Sequence, residues 1–111
     1  IAAMFGHALV ATENEPNYAE AERVLRPAVA IARDHPDAWL QLGTIYHGRG
    51  DMPRAALAAA ERHLLLNQPE MALRSAEEAM RGIPEMTPDW IRAQDLKLLS
   101  ETAISKRDDK D

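Results

Sequence analysis

The stretch that decides the fold runs from residue 36 to residue 55 and reads PDAWLQLGTIYHGRGDMPRA. Trp39, Leu42 and Tyr46 follow one another at i, i+3 and i+7, a spacing that places them on one face of a helix. Gly50 and Asp51 come directly after that helix, and this pair is typical of a turn whose aspartate caps the next helix. The stretch therefore predicts two helices joined by a tight turn.

Turn and cap signals on either side divide the rest of the chain in the same way. We expect about six helices, at about residues 1–12, 18–34, 37–48, 52–66, 69–82 and 88–105. Helices of this length joined by short loops form antiparallel hairpins. Residues 1–104 are therefore predicted to form one helical repeat domain. Residues 105–111 alternate charges without apolar content, and we expect them to form a disordered tail.

Composition limits both the fold class and the function. Apolar residues make up 46% of the 111 residues but aromatic residues only 5%, which favours packed helices over a sheet, so the predicted class is all-α. The net charge of −5 argues against a nucleic-acid partner, which clustered Lys and Arg would bind. No apolar run approaches the ~20 residues of a transmembrane helix. Without cysteine, the sequence indicates no redox compartment.

The central stretch closely resembles the tetratricopeptide repeat. The matching signature positions are Trp39, Leu42, Gly43, Tyr46, Gly50, Asp51 and Ala55. Ala21 and Leu25 repeat the pattern of Ala55 and Ala59 at the 34-residue period of that repeat. Downstream, Ala72 again resembles the start of a second helix but comes half a repeat too early. The fourth predicted helix therefore acts either as a second helix or as a new first one, and the predicted assembly is a short right-handed solenoid of three hairpins.

The resemblance also implies a binding surface. In tetratricopeptide solenoids, the first helices of successive repeats line a concave face that holds a peptide or a helix of a partner protein. Carried over to this chain, that face comprises Asp37, Leu40, Thr44 and His47 of the central repeat, with His7 and Val10 on the first predicted helix. Leu40 and His47 beside polar Thr44 would contact both the apolar side chains and the backbone of an extended segment. The alternative is that Leu40 packs against a neighbouring helix.

A more specific likeness covers nearly all of residues 5 to 96. The stretch ALAAAERHLLL (56–66), the alanine-rich helix after it and the closing IPEMTPDWIRAQDL (83–96) resemble the C-terminal region of BepA-like bacterial periplasmic zinc metalloproteases. Met86 and Thr87 depart from the Gly-Ser of that group, and the charged tail is not part of its pattern. The resemblance implies a docking tail for substrates or partners, in contact with outer-membrane assembly machinery. We expect the protease domain to precede this sequence in the parent protein.

No motif with a catalytic mechanism is present in the chain itself. The sequence has no zinc-protease, phosphate-loop or nucleophile-elbow signature. Its four histidines lie in separate predicted elements, so we expect no metal site and no cofactor. Adjacent Glu77 and Glu78 point in different directions, which makes an acid–base pair implausible. The arginines from Arg49 to Arg92 are interpreted as mostly single, solvated charges that contact acidic peptide groups less often than water. We therefore predict a chain that is not an enzyme.

Three functional hypotheses follow. The leading one is a protein-docking module cut from a periplasmic zinc metalloprotease of envelope protein quality control, since the chain starts at Ile1 without an initiator Met and as if within a helix. The second is a free-standing adaptor of the same fold in a multiprotein complex. The third is a structural module that forms homo-oligomers through the uncapped ends of its solenoid. The predicted location is the periplasm, with the cytoplasm as the alternative.

Overall fold

The computed structural model describes residues 15–31 and 33–109, which form five helices. In chain order they are α1 (Glu15–Ile31), α2 (Pro36–Gly48), α3 (Met52–Leu65), α4 (Pro69–Gly82) and α5 (Pro88–Asp109). The described residues contain no strand, so the predicted all-α class is confirmed. The helix predicted at residues 1–12 lies outside the described residues. None of the described helices is long and apolar enough to cross a membrane.

Each helix packs against the next one in the chain, in the order α1 to α5. A Cβ built on Gly82 would meet the ring of Pro53, so the end of α4 lies beside the start of α3 and these two helices are antiparallel. Among the described helices, α3 and α5 also pack together although they are not adjacent in the chain, so α3 packs against three others, and α5 reaches α1 through the ion pair of Asp89 with Arg26. The packing is compatible with a series of helical hairpins.

Two hydrophobic cores hold this series together. The core between α1 and α2 comprises Ala21, Leu25, Ala38, Leu42, Ile45 and Tyr46, with Trp39 and Ala55 packed against it. The core between α3, α4 and α5 comprises Ala56, Leu57, Ala60, Ala76, Ala79, Ile83, Ala93 and Leu96, with Leu64, Met80 and Trp90 packed against it. Alanine dominates the second core, and its short side chain lets helix axes approach closely. In contrast to Leu64, the neighbouring Leu65 and Leu66 are both 40% exposed.

The turn before α3 has the geometry that the sequence predicts at Gly50 and Asp51, and a similar turn follows α3. Gly50 has a φ of +79°, and the amide of Asp51 donates to the carbonyl of Tyr46 at 2.9 Å, which closes a Schellman turn. The Asp51 side chain then accepts from the amide of Arg54 at 3.2 Å and caps α3. Asn67, with a φ of +59°, makes the corresponding turn after α3.

The connection before α5 contains a second non-glycine residue with positive φ. The amide of Thr87 donates to the carbonyl of Pro84 at 3.4 Å, and Met86 inside this turn has a φ of +66°. Helix α5 begins directly after this turn and extends past its predicted end near Ser105 to Asp109. Residues 105–109, which the sequence analysis assigns to a disordered tail, are helical, and Arg107 among them forms an ion pair with Glu70 of α4.

Candidate functional site

Trp39 lines two concave surfaces, and the first contains three of the six residues of the predicted binding face. We call it the α2–α3 groove. It has a volume of about 330 Å³ and is lined by Trp39, Leu40, Gly43, Thr44, His47, Ala55, Ala59 and Arg62. Of the predicted residues, Leu40, Thr44 and His47 therefore come together in one groove. Asp37 is exposed at the start of α2 but does not line the groove. His7 and Val10 lie outside the described residues.

The α2–α3 groove has an apolar side chain at its rim and a floor of small residues. Leu40 is 48% exposed, so about half of its side chain is accessible in the groove. The Thr44 hydroxyl donates to the carbonyl of Leu40 at 2.9 Å, which leaves its oxygen able to accept a bond. A Cβ built on Gly43 would lie 3.5 Å from the Cβ of Ala58, an ordinary contact, so α2 and α3 are close but not at the limit that only glycine allows.

The second surface, which we call the arginine cleft, has a volume of about 250 Å³ and brings α1, α2, α3 and α5 together. It is lined by Arg26, Arg33, Trp39, Leu42, Tyr46, Arg54, Leu57, Ala58, Glu61, Asp89 and Arg92. Its apolar part is formed by the side chains shared with the two hydrophobic cores. Its polar part is formed by four guanidinium groups and two carboxylates.

Asp89 joins three helices in this cleft. Its Oδ2 accepts from the Nε of Arg54 at 2.9 Å and from the Nη2 of Arg26 at 3.3 Å. The Nη1 of Arg54 also donates to Asp51, the cap of α3, at 3.3 Å. The hydrogen bond to Asp89 is the main cause that raises the pKa of Arg54. Burial opposes it with a smaller effect, and the charge of Asp51 raises the pKa further. The start of α5 is thereby fixed to α3 and to α1 through a single carboxylate.

Glu61 and Arg92 form the most buried ion pair of the cleft. The Nε and Nη2 of Arg92 donate to the two Glu61 oxygens at 2.8 and 2.9 Å, a bidentate pair. Glu61 is only 7% exposed, and the bond to its carboxylate raises the pKa of Arg92. Removing either partner would leave the other charge buried without compensation.

Tyr46 connects the cleft to the core between α1 and α2. The Nε of Arg26 donates to its hydroxyl oxygen at 2.8 Å, and the guanidinium carbon lies 5.7 Å from the ring centroid. Burial, partly offset by the charge of Arg26, raises the pKa of Tyr46 to about 12. The phenol therefore stays neutral and keeps its own proton as a donor at physiological pH. On the opposite wall, the Trp39 indole N–H donates to the carbonyl of Arg33 at 2.9 Å.

Sequence reasoning missed the arginine cleft. Arg54 and Arg92 are interpreted there as single solvated charges, yet they pair with residues 35 and 31 positions away in the chain. No local spacing signals these pairs, because they depend on how α5 crosses α3. The described residues contain no group of three or more His, Cys, Asp or Glu side chains placed to hold a metal ion.

Comparisons of the chain with protein-family models, with curated proteins and with solved structures find no match.

Proposed function

We propose that this chain is a docking module for segments of other proteins and that it binds them in the α2–α3 groove. The observation that supports the proposal is the position of Leu40, an apolar side chain that is 48% exposed at the rim of a groove shared with Thr44 and His47. A partner side chain placed against Leu40 would bury apolar area, and the polar neighbours would bond to the partner backbone. The contact of α3 with α5 supports the interpretation of α3 as the first helix of a new unit after the half-repeat slip.

A random-peptide display library panned on the chain tests this proposal. Selected peptides are then measured against wild type, against Leu40→Asp in the groove and against Met71→Asp on α4. Leu40 and Met71 are matched in exposure, at 48% and 44%. We expect Leu40→Asp to weaken binding at least about tenfold, since it places a charge against an apolar contact, and Met71→Asp to leave it unchanged. Peptides that bind the Leu40→Asp variant as tightly as wild type would place docking elsewhere.

The finer part of the proposal concerns the parent protein. We propose that the chain is the docking tail of a periplasmic zinc metalloprotease of envelope protein quality control, and the support is the likeness of residues 5 to 96 to the BepA-like group. Reading the coding sequence upstream of Ile1 tests it. An H-E-x-x-H helix in a preceding domain, behind a signal peptide, is the expected result. A start codon directly before Ile1 would instead leave a free-standing adaptor.

Self-association is a second candidate function, and exposed side chains on α5 favour it. Ile91, Leu98 and Leu99 are 41%, 56% and 49% exposed on this helix, and apolar surface at the end of a helical stack is typical of a contact between copies. Light scattering over a concentration series decides this point. A mass that stays at one chain at the highest concentration would exclude the candidate, whereas growth that Leu98→Glu abolishes would support it.

A further inference from the structure

We infer that the arginine cleft is a second docking site, and that it binds an acidic segment of a partner protein in which a large apolar residue adjoins a Glu or Asp. Like the proposed function, this inference concerns the docking of protein segments. It concerns a different surface from the α2–α3 groove, so an experiment can disprove binding at one site without disproving it at the other.

Charge is the first argument. Four arginines and two carboxylates line the cleft, which leaves a surplus of two positive charges among the lining groups of a chain whose net charge is −5. Glu22 and Asp51, which bond to Arg26 and Arg54, lie next to the cleft and do not line it. Because these two carboxylates balance the surplus, the charge that would attract an acidic segment is that of Arg33, the one lining arginine without an ion pair to a described residue.

The second argument is that the arginine side chains are held in place but still have unused hydrogen-bond donors. Arg26 and Arg54 each bond to described residues through two of their three nitrogens, Nε with Nη2 in Arg26 and Nε with Nη1 in Arg54. Arg92 uses Nε and Nη2 on Glu61. One terminal nitrogen of each guanidinium thus has no bond to a described residue, and the exposed Arg33 side chain has no ion pair with one. Guanidinium groups already held in position lose little entropy when they bind a further carboxylate.

The third argument is the size and the chemistry of the cavity. Leu42, Leu57 and Ala58 line the cleft but are at most 9% exposed, so its accessible apolar surface is mainly the partly buried ring of Trp39. The volume of about 250 Å³ is below the range of about 300–1,000 Å³ that whole small-molecule ligands occupy. It suits one large side chain with the carboxylate of the next residue at the arginine rim.

Nuclear magnetic resonance titration with capped pentapeptides tests the inference. The probe is acetyl-Gly-Glu-Leu-Glu-Gly-amide, in which both ends are blocked, so the side-chain carboxylates are its only charges. The reporter is the indole N–H signal of Trp39, distinguished from that of Trp90 by a Trp90→Phe variant. We expect saturable shifts with the Glu peptide. The Gln-Leu-Gln and Glu-Ala-Glu analogues are each expected to bind about tenfold more weakly, since each loses one of the two classes of contact.

Paired variants assign those shifts to the cleft. Arg33→Gln should weaken binding of the Glu peptide about tenfold, the effect of one charge-assisted hydrogen bond, and added salt should weaken it further. Arg74→Gln on α4, an exposed arginine that does not line the cleft, should leave the affinity unchanged, as should Leu40→Asp in the α2–α3 groove. Peptides that lose affinity only with Leu40→Asp would support the proposed function and overturn this inference.

Three other results would also overturn it. The first is equal affinity for the Glu and Gln peptides, and the second is no shift with any peptide at millimolar concentration. The third is an equal response to inorganic phosphate, which would indicate a general anion site.

Discussion

Met86 adopts a backbone conformation that side chains other than glycine rarely tolerate. Its φ of +66° lies at the third position of the turn that starts at Pro84, where a type II turn favours glycine. The side chain is 71% exposed and so contributes little packing.

Met86→Gly should therefore raise the free energy of unfolding by about 0.5–1 kcal/mol, as the relief of left-handed strain exceeds the entropy cost of glycine. Urea denaturation measures it. The matched control is Glu85→Gly in the same turn, where φ is not positive, and this change should lower stability. Equal effects of the two substitutions would contradict the explanation.

Gly82 is a glycine for a steric reason. A Cβ at this position would overlap the Cγ of Pro53 and lie 2.8 Å from its Cβ. We expect Gly82→Ala to destabilise the chain by about 1–3 kcal/mol, measured by urea denaturation. Gly43→Ala, whose new Cβ would meet Ala58 at 3.5 Å, should cause no such loss. If the clash is the cause, adding Pro53→Ala to Gly82→Ala restores part of the stability, because the Cγ is removed and the Cβ at 2.8 Å stays.

Tyr46 makes the stability of the folded chain depend on pH in the alkaline range. Its pKa is raised from 10 to about 12 by burial, so the folded state disfavours the phenolate relative to the unfolded chain. This contribution to stability is complete below pH 10 and is lost as the pH rises from 10 to about 12. Ultraviolet titration should show one tyrosine that ionises near the upper value and disappears in Tyr46→Phe. A Tyr46→Phe variant that retains this late transition would contradict its assignment to Tyr46.

Asp51 serves as the cap of α3, and its contribution is separable from its charge. Asp51→Ala should cost about 1 kcal/mol of unfolding free energy, because the amide of Arg54 loses its acceptor. Asp51→Asn keeps a good cap but removes the charge that contacts Arg54, so it should lose less than the alanine variant. Urea denaturation distinguishes them, and equal losses would assign the effect to the ion pair.

The helices themselves are largely predictable from local sequence, because their ends carry local signals. Residues 69–82 are bounded by a proline and a glycine, and both predicted ends of α4 coincide with the structure. The sequence predicts the end of α5 too early, because the signal there is the loss of apolar residues near Ser105. In the structure α5 continues to Asp109, and Arg107 in this extension pairs with Glu70, a contact 37 positions away that no local signal indicates.

The candidate site likewise has one part that the sequence predicts and one part that it does not. Leu40, Thr44 and His47 share a groove because they lie on one face of one helix, which spacing along the chain predicts. The arginine cleft takes side chains from α1, α2, α3 and α5, and its assembly depends on crossing angles that spacing does not encode. For the same reason, whether the hairpins form a tetratricopeptide solenoid stays a prediction.

The helices differ in how many contacts hold them to the rest of the molecule. In the described part of the chain, α1 packs only against α2, and its other polar links run from Arg26 to Asp89 and from Glu22 to Arg49. Asp89→Asn weakens the first of these links. We expect faster amide hydrogen exchange in α1, followed by mass spectrometry, with α4 unchanged.

The matched control removes an exposed pair instead. Glu70→Gln breaks the ion pair with Arg107 at the far end of the molecule, and exposed pairs of this kind contribute little. Exchange in α1 should be the same in this variant as in wild type. If Asp89→Asn and Glu70→Gln both leave α1 unchanged, the Asp89 carboxylate is not what holds α1 in place.

The packing of each helix against its sequence neighbour has a consequence for the speed of folding. Nearly every helix contact in the described chain closes over one short connection, and α3 with α5 is the exception. A topology dominated by local contacts folds in about microseconds to milliseconds. Each hairpin can form as soon as its second helix is available, so a chain that emerges gradually from a ribosome or a translocation channel assembles from its first helices onward and exposes its alanine-rich faces only briefly.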